Sequence, residues 1–440
     1  MLRFSGCRTI CVLASIMFGL PATSQQPKMN AFDFALAHDM LHDAYTDVRK
    51  NYYDPQYHGI DLEARYHQFE IRLSNNTTLN DGMRTVQAFL DGLKDSHTFF
   101  IAPRRPFSFE PGFRMQIIGN QCFIVRVRPG TDASSKLHSG DRVLKYNSFL
   151  LNRDDFDAAL YYFTVLNPVV TAELDLQGLD GVVRHESVKA IILQGKSTLE
   201  QNPSTPDWMN LFRREETEDR LLRSVLIESG DVSYWKLRNF DLDTEQINSA
   251  FKTASKHSTL VLDLRGNPGG AIETLEHMLV GVFDHNITVA DRILRKDSKP
   301  LMAKRSTSDH LFTGKLVVLV DSQSDSCSEL FARVIQLEHR GTVIGDKTAG
   351  MVMEAVHFRE SSGGDNRVFY GFSITSADLI MADGKSLEKM GVTPDESVAP
   401  SAQDLATGRD PVLSRAAAIA GANLSPEQSA KMFPSVWLPL

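Results

Sequence analysis

The chain of 440 residues is poor in cysteine, with four, and in tryptophan, with three. Cys7 and Cys11 fall near the start, and Cys122 and Cys327 alone are too small a set for a disulfide framework. Stability must therefore come from buried apolar surface. Basic residues are not in excess: 47 Lys and Arg against 55 Asp and Glu give a formal net charge of −8. That excludes the basic footprint of a dedicated nucleic-acid binder. Beyond the first twenty or so residues no apolar run is long enough to cross a bilayer, and there is neither an internal repeat nor a low-complexity tract. A hydrophobic content of 42% and a charged content of 23% are those of a globular protein. The length is too great for one core and predicts two to four domains.

At the N-terminus, Arg3 and Arg8 precede an apolar stretch from Thr9 to Leu20, which ends in Pro21-Ala22-Thr23-Ser24-Gln25. A basic start, a short apolar centre and a small-x-small end predict a secretory leader over residues 1–24. With the leader removed no integral membrane segment is expected, and the location is periplasmic or secreted. Helical spacing follows in Phe34, Leu41, Tyr45 and Val48, and again in Val86, Phe89, Leu90 and Leu93, with a polar break at Ser74–Thr78. From about Phe107 the period changes to two. Met115–Ile118 and Cys122–Val127 flank Gly119-Asn120, a hairpin signal. The polar stretch Gln194–Glu218 reads as a connection. An α/β region follows, with strands expected at Val232–Leu237, Thr259–Leu264, Leu316–Val320 and Thr342–Ile344. Helices are expected at Thr244–Ser255, Ile272–Phe283 and Glu329–His339.

Two of those strands end in small polar residues and run into helices. Thr259–Leu264 leads to Arg265-Gly266-Asn267-Pro268-Gly269-Gly270, and Leu316–Val320 leads to Ser324-Asp325-Ser326-Cys327-Ser328-Glu329. A strand-turn-helix of this kind presents unpaired backbone N–H groups at the helix start. The first turn offers glycine amides and the second a serine, which together point to acyl transfer. A competing metal reading rests on His38-Asp39-Met40-Leu41-His42, two histidines one helical turn apart. Aspartate stands where the HExxH motif has glutamate and no third ligand is evident, so a solvated helix face is read instead. No metal and no other cofactor is expected.

The stretch Asp263–Gly270, followed by Ser324–Glu329 and then Gly345-Asp346-Lys347-Thr348-Ala349-Gly350, resembles the S41 serine peptidases, which include C-terminal (tail-specific) processing proteases and tricorn-type proteases. Asp383–Asp395 resembles the close of their catalytic domain. The resemblance implies that Ser326, three residues before Glu329, is the nucleophile, and leaves Ser328 as the plain helix cap. The processing-protease branch places its lysine base 25 residues after the serine and a glutamine four further on. Those positions are Met351 and Ala355 here, and a thioether takes no proton. Asp95-Ser96-His97-Thr98 resembles the segment that carries the histidine of the tricorn-like branch. By that resemblance His97 is the general base, completed by Ser96 and Glu388. The oxyanion hole is expected from the amide of Cys327 and a glycine amide, Gly269 before Gly270.

Gly112-Phe113-Arg114-Met115 and Gly140-Asp141-Arg142-Val143-Leu144 resemble the loop and strand of a PDZ domain. That implies a peptide-binding loop at Gly112, Phe113, Arg114 and Met115, capturing a terminal carboxylate. The expected fold is a multidomain α/β protein. Residues 25–105 form an N-terminal helical domain, 106–195 a PDZ-like β-rich domain, and 196–440 an α/β peptidase core of the ClpP/crotonase-like kind. The expected function is a serine endopeptidase that cleaves unstructured polypeptides or protein C-terminal tails. The alternative is an inactive S41-like peptide-binding protein, suggested by the missing lysine. Polypeptides are the expected partners, nucleic acid is not, and no sequence feature sets an oligomeric state.

Overall fold

The computed structural model describes residues 28–194, 224–305, 310–364, 367–434 and Trp437. The predicted leader and nearly all of the connection at 194–218 lie outside the described residues.

The α/β region is built on a six-stranded sheet. Its spatial order is Glu396–Ser397, Thr342–Gly345, Lys315–Val320, Thr259–Asp263, Val232–Leu237 and Ser224–Ser229. All neighbours run parallel except the last pair, which is antiparallel. The apolar runs are continuous because both faces are covered. Leu260, Leu262, Leu316, Val318 and Val320 face the helices Thr244–Ala254, Ile272–Val280 and Cys327–Leu337. Val261, Val317, Leu319 and Ile344 face the helix Pro411–Ile419. Each such side chain, taken fully out of water, contributes roughly 1.5–3 kcal/mol.

The N-terminal region has three helices, Ala31–Asn51, Leu62–Ser74 and Leu79–Leu90. The polar break at 74–78 ends the second, and Thr78 caps the third in a reciprocal box with Asp81. These helices share one apolar cluster with Phe100, Tyr370, Phe372 and Ile374. Phe100 belongs to the short strand Phe99–Ile101, which pairs antiparallel with Val368–Ile380. That long strand is central to a second sheet, with Met353–Ser362, Ile287–Leu294 and Ser298–Ala303. The residues just before Phe99 are thereby brought to the α/β core, although more than two hundred positions separate them in sequence.

A third sheet is an antiparallel meander of Phe113–Ile118, Gln121–Val127, Arg142–Tyr146, Thr171–Gln177 and Val183–Lys189. Its first hairpin turns at Gly119-Asn120, with Ile118 opposite Gln121. The outer face of this hairpin is tied to the core. Gln116 Nε2 donates to Asp321 at 2.8 Å, the Ser322 hydroxyl donates to the Ile117 carbonyl, and Gly119 N–H donates to Asp346 at 2.8 Å.

Candidate active site

The two turns expected to carry chemistry leave adjacent parallel strands, Leu262 lying opposite Val318 and Asp263 opposite Leu319. They sit at the carboxyl ends of those strands, where open α/β sheets form their clefts. Buried side chains lock one turn to the other. Ser324 Oγ donates to the Leu264 carbonyl at 2.9 Å and Ser328 Oγ to the Asn267 carbonyl at 2.8 Å. Gly266 N–H donates to Asp321 at 2.8 Å. Ser324 and Ser328 are wholly buried and spent on these bonds, while Ser326 between them is partly exposed. Ser328, expected as the helix cap, is a tie between turns instead.

Ser326 starts the helix Cys327–Leu337 with φ 52° and ψ −115°, a conformation that costs a non-glycine residue on the order of 1–3 kcal/mol. The surroundings hold it there. Its N–H faces the Met351 carbonyl at 3.1 Å and Glu329 Oε2 at 3.2 Å. The carboxylate of Glu329 is fully buried and also accepts from Thr348 Oγ1 at 2.5 Å, Gly350 N at 2.8 Å and Met351 N at 2.9 Å. Burial pushes its pKa up to about 7, against the pull of those donors. The folded value then lies above the ordinary 4.5, so between the two the folded protein holds a proton that the unfolded chain has lost. The stability this contributes is complete below about pH 4.5 and lost as pH rises to about 7, at no more than about 1.4 kcal/mol per unit. Thermal and urea melts across that range should therefore show the advantage of the native protein over Glu329→Gln shrinking with pH, then levelling. An advantage that grows with pH would mean that the donors outweigh burial.

On the other turn, Gly269 (φ 88°) lies directly against the serine: a Cβ there would come within 2.7 Å of Ser326 Cβ and 3.0 Å of Cys327 N. Its N–H, expected to face the reacting oxygen, is donated instead to Asn267 Oδ1 at 2.9 Å. Gly270 differs. Phe240 bonds on either side of it, to the Gly269 carbonyl and the Ala271 N–H, both at 2.7 Å. That leaves the Gly270 amide outside the bridge, and its carbonyl accepts the Cys327 thiol at 3.3 Å. Among the described residues no acceptor is found for the N–H of Gly270 or of Cys327.

His97 reaches the site from the start of Phe99–Ile101. Asp95 fixes its turn, accepting from His97 N at 3.0 Å, Thr98 N at 2.7 Å, Thr375 Oγ1 at 2.7 Å and Tyr52 Oη at 2.7 Å. Ser96 Oγ lies 2.7 Å from His97 Nδ1 and donates to Glu388 Oε2 at 2.8 Å. Glu388 also accepts from Ser96 N at 2.8 Å and Val352 N at 3.0 Å. Ser96 has one hydroxyl proton. If Glu388 takes it, Ser96 Oγ must accept from Nδ1–H, and Nε2 is left as the basic nitrogen. Burial pushes the Glu388 carboxyl up, while Ser96, Lys389 and the Val352 amide pull it down. The segment 350–352 joins the two halves: Met351 binds Ser326 and Glu329, and Val352 binds Glu388.

The Gly112–Met115 segment is less open than expected. Phe113 and Met115 point into the core of the meander sheet. Gly112 N–H donates to the Glu110 carboxylate at 2.9 Å, and Arg114 pairs with Glu110 at 3.0 Å. An internal carboxylate thus holds the groups expected to receive a peptide terminus. His38 and His42 look to separate partners, Glu70 at 3.4 Å and Tyr66 at 3.3 Å.

Sequence reasoning misses three contributions. It treats Asp95 only as part of a motif and Glu329 only as a marker, and it passes over Asp410. Asp410 grips Arg265 through two bonds of 2.9 and 2.8 Å, and Arg265 in turn holds Asp263 at 2.7 Å. Lys236 adds a second cation on Asp263 at 3.1 Å. Burial alone would raise the Asp263 carboxyl, but Arg265 and Lys236 hold it far below the usual range. The opposite charges two residues apart in Asp263-Leu264-Arg265 were the available signal; Lys236 and Asp410, distant in sequence, offered none.

Residues 231–398 match Peptidase family S41, and residues 36–83 match the Tricorn protease C1 domain. A Streptomyces coelicolor protein named "Putative tricorn protease homolog 2" is 25% identical over 396 residues, covering 85% of this chain and 31% of that protein. The carboxyl-terminal-processing protease of Synechocystis is 29% identical over 146 residues, 31% of this chain and 30% of that protein. The chain spans about a third of the length of the curated relatives it matches. Among solved structures, mature CPAF superposes with a TM-score of 0.62 at 15% identity, over 85% of this chain and 94% of that one. The photosystem II D1 C-terminal processing protease gives 0.52 at 18% identity, over 83% and 93%. These two likenesses are of fold. The motifs of both turns lie inside the residues that match Peptidase family S41.

Proposed function

We propose that the protein is a serine endopeptidase that hydrolyses unstructured polypeptides, or their C-terminal tails, through an acyl-enzyme on Ser326. One observation carries the reading. The strained, partly exposed Ser326 is bonded to the short segment 350–352, and the same segment is bonded to Glu388, which with Ser96 orients His97. His97 Nε2 takes the Ser326 proton as Oγ attacks the scissile carbonyl, and returns it to the leaving amine. The N–H groups of Gly270 and Cys327 receive the oxyanion. Water then attacks the ester, again with His97 as base, and frees the second product. The leader pattern supports an exported enzyme, and the β-rich unit at 106–195 supports a PDZ-like module beside the cleft.

The relay makes a specific demand on charge. A glutamine amide in place of the Glu388 carboxylate, turned to Ser96, donates rather than accepts, which reverses the relay and places the proton on Nε2. Glu388→Gln is therefore expected to lower kcat about ten- to a thousandfold while the fold survives. Unchanged kcat would leave a Ser326–His97 dyad without the relay. For the activity itself, a fluorophosphonate probe should label the protein and fail to label Ser326→Ala. An unlabelled native protein that still binds polypeptides would favour the inactive peptide-binding reading.

A further inference from the structure

Trp437, near the end of the chain, is seated on the outer face of the meander sheet. The guanidinium carbons of Arg114, Arg126 and Arg128 lie 4.7, 4.4 and 4.5 Å from the centre of its ring. Arg114 and Arg126 are direct cross-strand neighbours, and Arg128 follows the second strand. Three cations around one ring repel one another, and Glu110, paired with Arg114, offsets part of that repulsion. An aromatic face stabilises such a cluster, by about 0.5–2 kcal/mol for each cation. The position of this cluster gives it a use. Side chains two apart on a strand share a face and stand roughly 7 Å apart. Arg114 therefore shares its face with Gln116, whose amide bonds Asp321 at 2.8 Å. Asp321 holds Gly266 N–H and lies five residues before Ser326. The arginine face thus adjoins the Gln116–Asp321 bond that ties this hairpin to the turn carrying Ser326.

We propose that this arginine face is a docking site for an aromatic residue of an extended polypeptide. Its resident occupant is the chain's own Trp437, which competes with incoming substrate for the face. This rests on the peptidase reading above, so the test is made by binding in the Ser326→Ala background, where turnover plays no part. A fluorescently labelled unstructured polypeptide containing tryptophan is titrated against Ser326→Ala and against Ser326→Ala with Trp437→Ala. Loss of the occupant should tighten binding by about three- to thirtyfold, the factor by which self-docking reduces the competent fraction. A synthetic peptide of the sequence from Pro434 to Leu440 should bind the Trp437→Ala protein and displace the labelled chain. The same peptide with alanine for tryptophan should not. Adding Arg126→Ala should abolish the gain. Equal affinity with and without Trp437, or displacement by the alanine peptide as strong as by the tryptophan peptide, would overturn the proposal. Failure of the fluorophosphonate test would leave these binding results decisive in their own right.

Discussion

Alanine at His97 is expected to lower kcat on an unstructured polypeptide by at least about three orders of magnitude, the scale on which a triad member is lost elsewhere. The size follows from the absence of a substitute. The position that would hold a lysine base is Met351, whose backbone is spent on Ser326 and Glu329. Lys347 is the lysine nearest to that position in sequence, but its carbonyl is held by Arg153 at 2.7 Å in a loop facing the meander sheet. Lys347→Ala should be mild by comparison. His97→Ala should fold normally, because the turn is fixed through Asp95 and Thr98 rather than through the imidazole. Burst kinetics with an activated ester would separate the steps: the acylation burst itself should disappear, since the base acts when the bond to Ser326 forms. Equal losses in the His97 and Lys347 variants, or a fully active His97→Ala, would sink the histidine assignment.

The legible parts of this chain are those whose pattern is set locally. Thr259–Asp263 and Lys315–Val320 read as strands because a sheet covered on both faces favours near-continuous apolar runs, and Val232–Leu237 reads despite Ser233 and Lys236. The helix after Ser326 reads within two residues of its bounds. The second sheet does not read. Ile287–Leu294 alternates only in part, and Met353–Ser362 is largely exposed, with charged residues on both faces. Such strands are defined by the long Val368–Ile380 strand they pair with, and sequence spacing does not carry that partner. The helical N-terminal region reads as a bundle of its own, but its apolar faces are completed by Phe100 and Phe372.

The site divides in the same way. The resemblance to S41 peptidases points to Ser326, Ser96, His97 and Glu388, and the structure gathers Ser96, His97 and Glu388 in one hydrogen-bonded line that meets Ser326 at residues 350–352. Which glycine amide is available is not legible. It depends on Asn267 turning its own side chain back to Gly269, an Asx-type bond that competes with any ligand for that N–H. The Gly112 amide is hidden in the same way by Glu110, two residues away. In both cases a short-range acceptor captures a group that the motif alone leaves open.

Gly269→Ala is expected to remove nearly as much activity as loss of an oxyanion donor, about a hundred- to a thousandfold in kcat, although Gly269 itself donates no bond to the oxyanion in this geometry. An added Cβ would lie 2.7 Å from Ser326 Cβ and 3.0 Å from both the Asp325 carbonyl and Cys327 N. No flexible side-chain end is available to yield; the contacts are Ser326 Cβ and backbone. The turn must therefore move, and it carries the Cys327 amide and Ser326 Oγ with it. A shift approaching about 1 Å is enough for a loss of about a hundredfold. The positive φ of 88° adds a backbone cost of about 1 kcal/mol, which is a stability effect and not a catalytic one. Gly230→Ala separates the two. Gly230 also has positive φ, at 59°, but an added Cβ there meets nothing within 4 Å. It should lose comparable stability in urea melts and keep kcat. Gly269→Ala should lose kcat out of proportion to its melt, with fluorophosphonate labelling slowed in parallel. Retained kcat and labelling rate in Gly269→Ala would show that the glycine turn stands off from Ser326 in solution, and would remove the Asn267–Gly270 turn from the catalytic centre.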